Sequence, residues 1–402
     1  MKICVLAPEF LPNWGGTGTY LANLFKYIPK RVDIHVVTVN RDTITDQPDQ
    51  STEDIAELLG RPLTIHRLSS AKENFFYNIS FQIACLRKLP ELCRQNDFDI
   101  IHTNHPHMPD LFSRMMNRIR IPKVTTVHEV MTLKRQLILK SGVEFAHLAQ
   151  SEKAILTLYP FLRACEILQF KTGLVFIAPS KYYAKILTTL GVKENQIYVI
   201  PNGVDTSVFR RMTISSHDRP TILFAGRFVS QKGIETIIDT MPKVLNSIPD
   251  AQFMFSGAEM PPRYLDAIKN RHVPNESVKF IGYVSNYLEM PRVYSRADVY
   301  ILPSISENCP MSVLEAMSCE TPVVAGYGGG TPELIESGQT GILIPPRNST
   351  ALANAIISLL QDRHFATQIA EAGRKRILEK FSAETTANST MQVYEKMIGC
   401  FV

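Results

Sequence analysis

Two carboxylates, Glu307 and Glu315, stand eight positions apart in the stretch YILPSISENCPMSVLEAMSCETPVVAGYGGGT, residues 300–331. A carboxylate accepts two hydrogen bonds side by side, which suits the vicinal hydroxyls of a sugar ring. An earlier loop, GRFVSQKG, carries Arg227 and Lys232 just before a helical pattern. Two cations beside the free amides of a helix start suit a pyrophosphate. Near the N-terminus, Gly15 and Gly16 lie between an apolar run and another helical pattern, where glycine lets the backbone approach a ligand. GGTG does not have the GxGxxG spacing, so the dinucleotide fingerprint is absent. Acceptors for a diol and donors for phosphate are together the chemistry that holds a nucleotide-sugar. Each group also has a plainer reading as a solvated charge or an ordinary loop glycine.

The elements that must position these groups alternate between strand and helix. Val299–Leu302 reads as a buried strand, 304–309 as a polar loop, Met311–Met317 as a helix, and Thr321–Ala325 as a second buried strand closed by Gly328–Gly330. Ligands of open parallel sheets bind where strand ends meet helix starts, and this stretch offers that mouth twice. Further strands are expected at Thr221–Ala225, Phe253–Ser256, Val278–Ile281 and Gly341–Ile344, with helices such as Gly233–Leu245 between them. The N-terminal half repeats the rhythm. It has strands at Lys2–Pro8, Ile34–Val39, Leu63–Leu68, Asp99–Thr103, Pro122–His128, Leu174–Pro179 and Ile197–Ile200. Its helices are expected at Thr17–Tyr27, at Asn78–Arg94 with Ile79, Ile83, Leu86 and Leu92 apolar, and at Lys181–Leu190 capped by Ser180. Residues 41–57 read as an irregular polar excursion, and a last helix runs over Thr385–Ile398.

Two patterns invite metal chemistry. Asp97-Phe98-Asp99 spells a metal motif, but its place is a turn leading into a strand. His102, His105 and His107 cluster without a nearby cysteine or glutamate, which favours polar residues lining a strand end over zinc ligands. His128 ends its strand and should emerge at the mouth of the sheet; by itself a lone histidine is more often a structural residue than a catalytic one. No metal and no cofactor is expected.

At 402 residues the chain is too long for one typical core, so two domains are expected. An apolar share of 45% and a charged share of 20% are globular values. No apolar run reaches the roughly 18 residues that span a bilayer, and a signal peptide is not expected. Seven scattered cysteines without a CxxC pair point to reduced thiols and a cytoplasmic compartment. The net charge of +5 is mild and suggests no nucleic-acid partner. It is uneven, however. Residues 111–140 hold seven basic residues (Arg114, Arg118, Arg120, Lys123, Lys134, Arg135, Lys140) against Glu129 alone, interleaved with Leu111, Phe112, Met115, Met116, Ile119, Leu133, Leu137, Ile138 and Leu139. This stretch is expected to attach the protein peripherally to an anionic membrane surface at the inner face.

The words ENCPMSVLEAM, TPVVA and the glycine cluster resemble the donor site of retaining glycosyltransferases with the GT-B fold, the glycosyl transferases group one (family four). Gly226, Arg227, Lys232 and Gly233 match the family's Gly-Arg…Lys-Gly loop, and Gly329–Glu333 its GGxPE element. Phe280–Val284, with Tyr283, resembles the segment whose backbone reads the base, and PNGVD (Pro201–Asp205) the interdomain hinge. The resemblance is sharp over residues 180–347. It implies two doubly wound Rossmann-like domains facing across a cleft. Residues 1–205 would form the acceptor-side domain, 206–381 the donor domain, and 382–402 a helix crossing back.

It also implies an activity, transfer of a hexose from a nucleotide-sugar to a hydroxyl of a glycan, lipid or lipid-linked acceptor, with the α-anomer retained. Glu315 would bind the ribose diol and Glu307 the transferred sugar. Arg227 and Lys232 would neutralise the leaving pyrophosphate in place of a metal, and His128 would sit at the sugar's edge. Gly15, Gly16, Asn308, Cys309, Pro310, Met311 and Ser312 complete the implied donor contacts. Glu320 stands where the family has glycine, which costs about 1 kcal/mol if that position needs a positive φ. A non-catalytic nucleotide-sugar-binding subunit and a GT-B sugar-nucleotide epimerase are the alternatives.

Overall fold

The protein's structure, a computed structural model, describes residues 1–11, 15–40, 52–70, 77–104, 118–171, 174–214, 219–284 and 287–400. The chain divides into two compact units. One comprises residues 1–135, 150–203 and 383–402, the other 136–149 and 204–382.

The chain up to residue 203 runs β1 (Lys2–Leu6), α1 (Gly16–Tyr27), β2 (Asp33–Asn40), α2 (Thr52–Leu59), β3 (Thr64–Ser70), α3 (Tyr77–Asn96), β4 (Ile100–Thr103), β5 (Lys123–Thr126), α4 (Met131–Lys140), α5 (Gln150–Phe170), β6 (Val175–Ala178), α6 (Lys181–Thr189) and β7 (Ile197–Val199). Its strands form one parallel sheet in the order β3-β2-β1-β4-β5-β6-β7. β1 shows why the sheet is covered on both faces. Ile3 and Val5 join one apolar cluster with α1, while Cys4 and Leu6 join another with Phe81, Cys85 and Leu89 of α3. Successive side chains alternate between faces, so a strand apolar at every position from residue 3 to residue 6 must be buried twice over.

Three expectations are corrected here. Residues 52–59 are helical, with Ile55 and Leu59 buried, and not part of an irregular excursion; residues 41–51 lie outside the described residues. In α3 the buried stripe is Phe81, Cys85, Leu89 and Cys93, whereas Ile83 is 43% exposed. Counting the cysteines as the small hydrophobes they are would have found that i, i+4 stripe. The third is Lys123. It is buried, with Nζ donating to the carbonyls of Ile119 (2.6 Å) and Ile121 (3.0 Å), and adds nothing to a basic surface. Lys134 likewise turns to Glu129, 2.6 Å away, and the Arg135 guanidinium lies over the Tyr159 ring at 4.6 Å. Arg114 and the apolar residues 111–116 lie outside the described residues.

The remaining chain runs β8 (Thr221–Ala225), α7 (Ile234–Ser247), β9 (Gln252–Ser256), α8 (Pro262–Asn270), β10 (Val278–Gly282), α9 (Met290–Ser295), β11 (Val299–Leu302), α10 (Met311–Ser318), β12 (Val323–Gly326), α11 (Thr331–Leu334), β13 (Ile342–Ile344), α12 (Ser349–Gln361), α13 (Arg363–Lys380) and α14 (Ala383–Gly399). Its parallel sheet has the order β10-β9-β8-β11-β12-β13. Both sheets reverse their strand order beside the first strand of the unit, between β1 and β4 and between β8 and β11. That reversal is where open α/β sheets bind ligands. Helix starts are capped by side chains: Ser180 accepts from the Tyr183 amide, Asn348 from that of Ala351 and Asp362 from that of Phe365.

α14 packs Ala387, Met391, Val393 and Tyr394 into the cluster of β1 and α1. In the second unit Arg374 of α13 donates to the carbonyls of Thr206, Phe209 and Ser318, fastening the segment that enters the unit to α10. No helix among the described residues is long and apolar enough to cross a membrane.

Candidate active site

At the strand reversal of the second unit, three loops meet through backbone contacts that only glycine permits. The loop after β8 ends in Gly233, whose φ is +75° and whose added Cβ would stand 2.3 Å from the Pro303 carbonyl. The Ile305 amide donates back to the Gln231 carbonyl over 2.9 Å. The loop after β12 presses on the same segment. The Gly330 amide donates to the Glu307 carbonyl at 2.7 Å, and a Cβ on Gly329 would lie 1.9 Å from that oxygen. The glycine cluster thus works as a spacer between chain segments, a reason its sequence does not disclose.

Those contacts fix Glu307. Its carboxylate meets Lys232 Nζ at 2.7 Å, with both side chains mostly withdrawn from water. Cation and carboxylate, placed on two different loops, reach the same small volume. Arg227, on the same loop as Lys232, is exposed. Cys309, Pro310 and Met311 are buried at the start of α10, while Asn308 and Ser312 are half-buried beside them. The hydroxyls of Ser304 and Ser306 are buried with no hydrogen-bond partner among the described residues.

Glu315, one turn into α10, is 8% exposed, so the reading of it as a solvated helix charge does not hold. Burial lifts its pKa to about 7, and a hydrogen bond from the Tyr294 hydroxyl to Oε2, 2.7 Å long, holds that rise down. Tyr300 lies close enough to both carboxylates to feel their charge. Its hydroxyl reaches the Ala225 carbonyl at 3.2 Å, and its own pKa is pushed up by burial and by the charges of Glu315 and Glu307. Tyr283 is set apart from this group. It follows β10, the edge strand two places from β8, and is 46% exposed.

His128, Gly15 and Gly16 belong to the first unit. His128 follows β5, and Asn104 follows the neighbouring β4. His128 Nε2 lies 2.6 Å from Asn104 Oδ1, and this contact orients the ring. The edge of the His128 ring meets Tyr20 at 5.0 Å between centroids. His102 does not line a strand mouth as expected. It is wholly buried between the Tyr394 hydroxyl (2.6 Å from Nδ1) and Thr126 Oγ1 (2.8 Å from Nε2). Burial, with His128 nearby, drops its pKa to about 3, so the ring stays neutral. His105 and His107 lie outside the described residues.

The Asp97-Phe98-Asp99 stretch is a turn. Asp97 has φ +46°, and Asp99 accepts from the Lys2 amide. No group of three or more metal-ligating side chains occurs among the described residues. At the start of α1, the Thr17 hydroxyl donates to the Glu9 carboxylate, which also lies against Gly15. Trp14 lies outside the described residues. Sequence reasoning missed Glu9, Asn104, Tyr294 and Tyr300; the last three act through partners 21 or more positions away, whereas Glu9 meets Thr17 only eight positions on.

Comparison with known proteins follows the same division. Residues 206–376 match the family model of glycosyl transferases group 1, and residues 14–208 that of glycosyltransferase family 4. An uncharacterised glycosyltransferase of Methanocaldococcus jannaschii is 31% identical over 223 residues, covering 52% of this chain and 57% of the relative. The chain thus spans about half the length of the first curated relatives it matches. N-acetyl-α-D-glucosaminyl L-malate synthase of Bacillus anthracis is 23% identical over 95% of this chain and 94% of its own. Among solved structures, sucrose-phosphate synthase of Thermosynechococcus elongatus superposes with a TM-score of 0.80, at 22% identity and 99% of each chain. HepE of Anabaena, in complex with UDP-glucose, superposes with a TM-score of 0.73, at 19% identity, over 98% of this chain and all of its own.

Proposed function

We propose that this chain, which belongs to the group 1 glycosyltransferases and has the GT-B fold, moves a hexose from a nucleotide-sugar to a hydroxyl of a glycan, lipid or lipid-linked acceptor. The anomeric configuration is retained, and no metal takes part. The observation that carries the reading is the approach of Lys232 to Glu307 at 2.7 Å, beside the buried Glu315. One small volume thereby offers a cation for phosphate oxygens and a carboxylate for hydroxyls. A relative named for N-acetylglucosaminyl transfer to malate and a neighbour bound to UDP-glucose agree with a nucleotide-sugar donor.

In this reading Glu315 accepts from the ribose hydroxyls and Glu307 from those of the transferred sugar. Arg227 and Lys232 neutralise the diphosphate as the bond from the anomeric carbon to phosphate oxygen breaks. The acceptor oxygen bonds to that carbon on the same face, and its proton passes to the departing phosphate oxygen, so no separate base is needed. His128, oriented through Asn104, supports the oxocarbenium-like transition state at the edge of the sugar. Charge stabilisation and positioning then carry the rate.

The test is release of nucleoside diphosphate from UDP-, GDP-, ADP- and dTDP-sugars, with and without a glycan and lipid extract as acceptor. Release stimulated by the extract, unaffected by EDTA and reduced about a hundred- to a thousandfold in Lys232→Ala, is the expected result. Binding without release under every condition would leave a nucleotide-sugar-binding subunit. Loss with EDTA, restored by Mn²⁺ or Mg²⁺, would end metal independence.

A further inference from the structure

Glu315 has to present its acceptors in one direction, and α10 alone does not fix that direction. A glutamate side chain keeps rotational freedom about its last bond, where the preference is broad. What restrains it is the Tyr294 hydroxyl, 2.7 Å from Oε2. Tyr294 is itself immobilised. It is 1% exposed, its backbone carbonyl accepts from Thr321 Oγ1 at 2.8 Å, and its ring packs against Tyr300 (5.5 Å) and Phe209 (6.2 Å). Burial and the neighbouring carboxylate raise the phenol pKa well above its ordinary value, so the hydroxyl keeps its proton and remains a donor.

We infer that Tyr294 is the positioning residue of the nucleotide site. By holding Oε2 it sets the plane of the Glu315 carboxylate, so that the remaining lone pairs meet the 2′- and 3′-hydroxyls of a ribonucleoside diphosphate together. The inference rests on the reading of Glu315 as the ribose acceptor. A carboxylate has about four lone-pair positions; Tyr294 occupies one and leaves enough for a diol. The phenol has no part in the reacting atoms, so its removal should weaken nucleotide binding and leave turnover at saturation nearly unchanged. It also gives the site a preference for ribose over 2′-deoxyribose, because a fixed carboxylate loses more from a missing hydroxyl than one that can swing to the other.

The experiment is calorimetry on the full chain, using whichever of UDP, GDP and ADP the wild type binds, beside the 2′-deoxy form of the same nucleotide. Tyr294→Phe is expected to weaken the ribonucleotide about tenfold, the scale of one hydrogen bond to a charged group, and the 2′-deoxy form about twofold or less. Glu315→Gln is measured in parallel. If it abolishes the ribose preference while Tyr294→Phe keeps both affinities and the preference intact, Tyr294 has no positioning role and the ribose reading stands. If the wild type binds both forms equally and Glu315→Gln changes neither, the ribose reading itself falls, and the inference with it. Should Tyr294→Phe lack a cooperative melt, Thr321→Val serves instead, since it only loosens the backbone anchor of the tyrosine. It is expected to weaken the ribonucleotide about threefold, and an unchanged affinity there overturns the inference.

Discussion

Glu315 is ionisable, buried and placed where a free charge is costly. In the unfolded chain its carboxyl titrates near 4.5, and in the folded protein near 7. Between those values the folded state holds a proton that the unfolded state has released, so the contribution of this group to stability falls as pH rises through that window and is level above it. Glu315→Gln removes the cost. It should raise the melting temperature at pH 8, by an amount corresponding to roughly 3 kcal/mol at most, and leave it unchanged at pH 4.5. Calorimetry at the two values checks this; a shift of equal size at both would sink the assignment. The same titration predicts that nucleotide affinity weakens as pH drops below about 7, because the protonated acid loses an acceptor. Isothermal titration at pH 6 and pH 8 reads that directly. On the proposed ribose reading, Glu315 lowers stability in order to bind, the usual trade at a functional site.

The three loops that carry these residues are held by close backbone approaches, and substitutions there should separate by geometry. Gly329→Ala would push a Cβ to 1.9 Å from the Glu307 carbonyl at a φ of +67°, and Gly233→Ala one to 2.3 Å from that of Pro303. Each should cost about 3 kcal/mol or more and displace the Lys232–Glu307 pair. Gly338→Ala, at φ +80° with nothing near its Cβ, should cost only about 1 kcal/mol. Denaturant melts of the three variants test the ordering; equal losses would refute the spacer role. Glu320 has φ +54°, so Glu320→Gly should be neutral or stabilising by up to about 1 kcal/mol. That strain was legible from the sequence, because a glutamate stood where the family has glycine. The strands were legible too, since residues 3–6 of β1, 222–225 of β8 and the whole of β11 are apolar without a break, and a doubly covered stretch has no polar position to blur the signal. The buried stripe of α3 was not, because half of it is cysteine. Nor was the tyrosine under Glu315, whose contact joins positions 21 residues apart through the packing of α9 on α10, which no periodicity records.

For the molecule as a whole, the open question is where the acceptor is met. The basic stretch from 111 to 140 suggested an anionic surface, yet Lys123 and Lys134 spend their charge inside the protein, and Arg135 lies over Tyr159. Among the described residues, Arg118, Arg120 and Lys140 face solvent, and Leu139 is exposed beside Lys140. At about 1 kcal/mol per basic residue near an anionic leaflet, Arg118 and Arg120 of the first unit would contribute about 2 kcal/mol and Lys140 of the second about 1 kcal/mol. That suffices for weak, reversible attachment and no more, and salt near 0.5 M should screen most of it. The expected result is partial co-sedimentation with vesicles of mixed neutral and anionic lipid at low salt, little at high salt, and little with neutral vesicles. The triple change Arg118→Glu, Arg120→Glu, Lys140→Glu should abolish it, whereas Lys123→Met would test only folding. Equal pelleting with neutral and anionic vesicles, or no effect of the triple change, would remove the anionic surface from the account. A lipid-linked acceptor would then have to be recognised by its glycan alone.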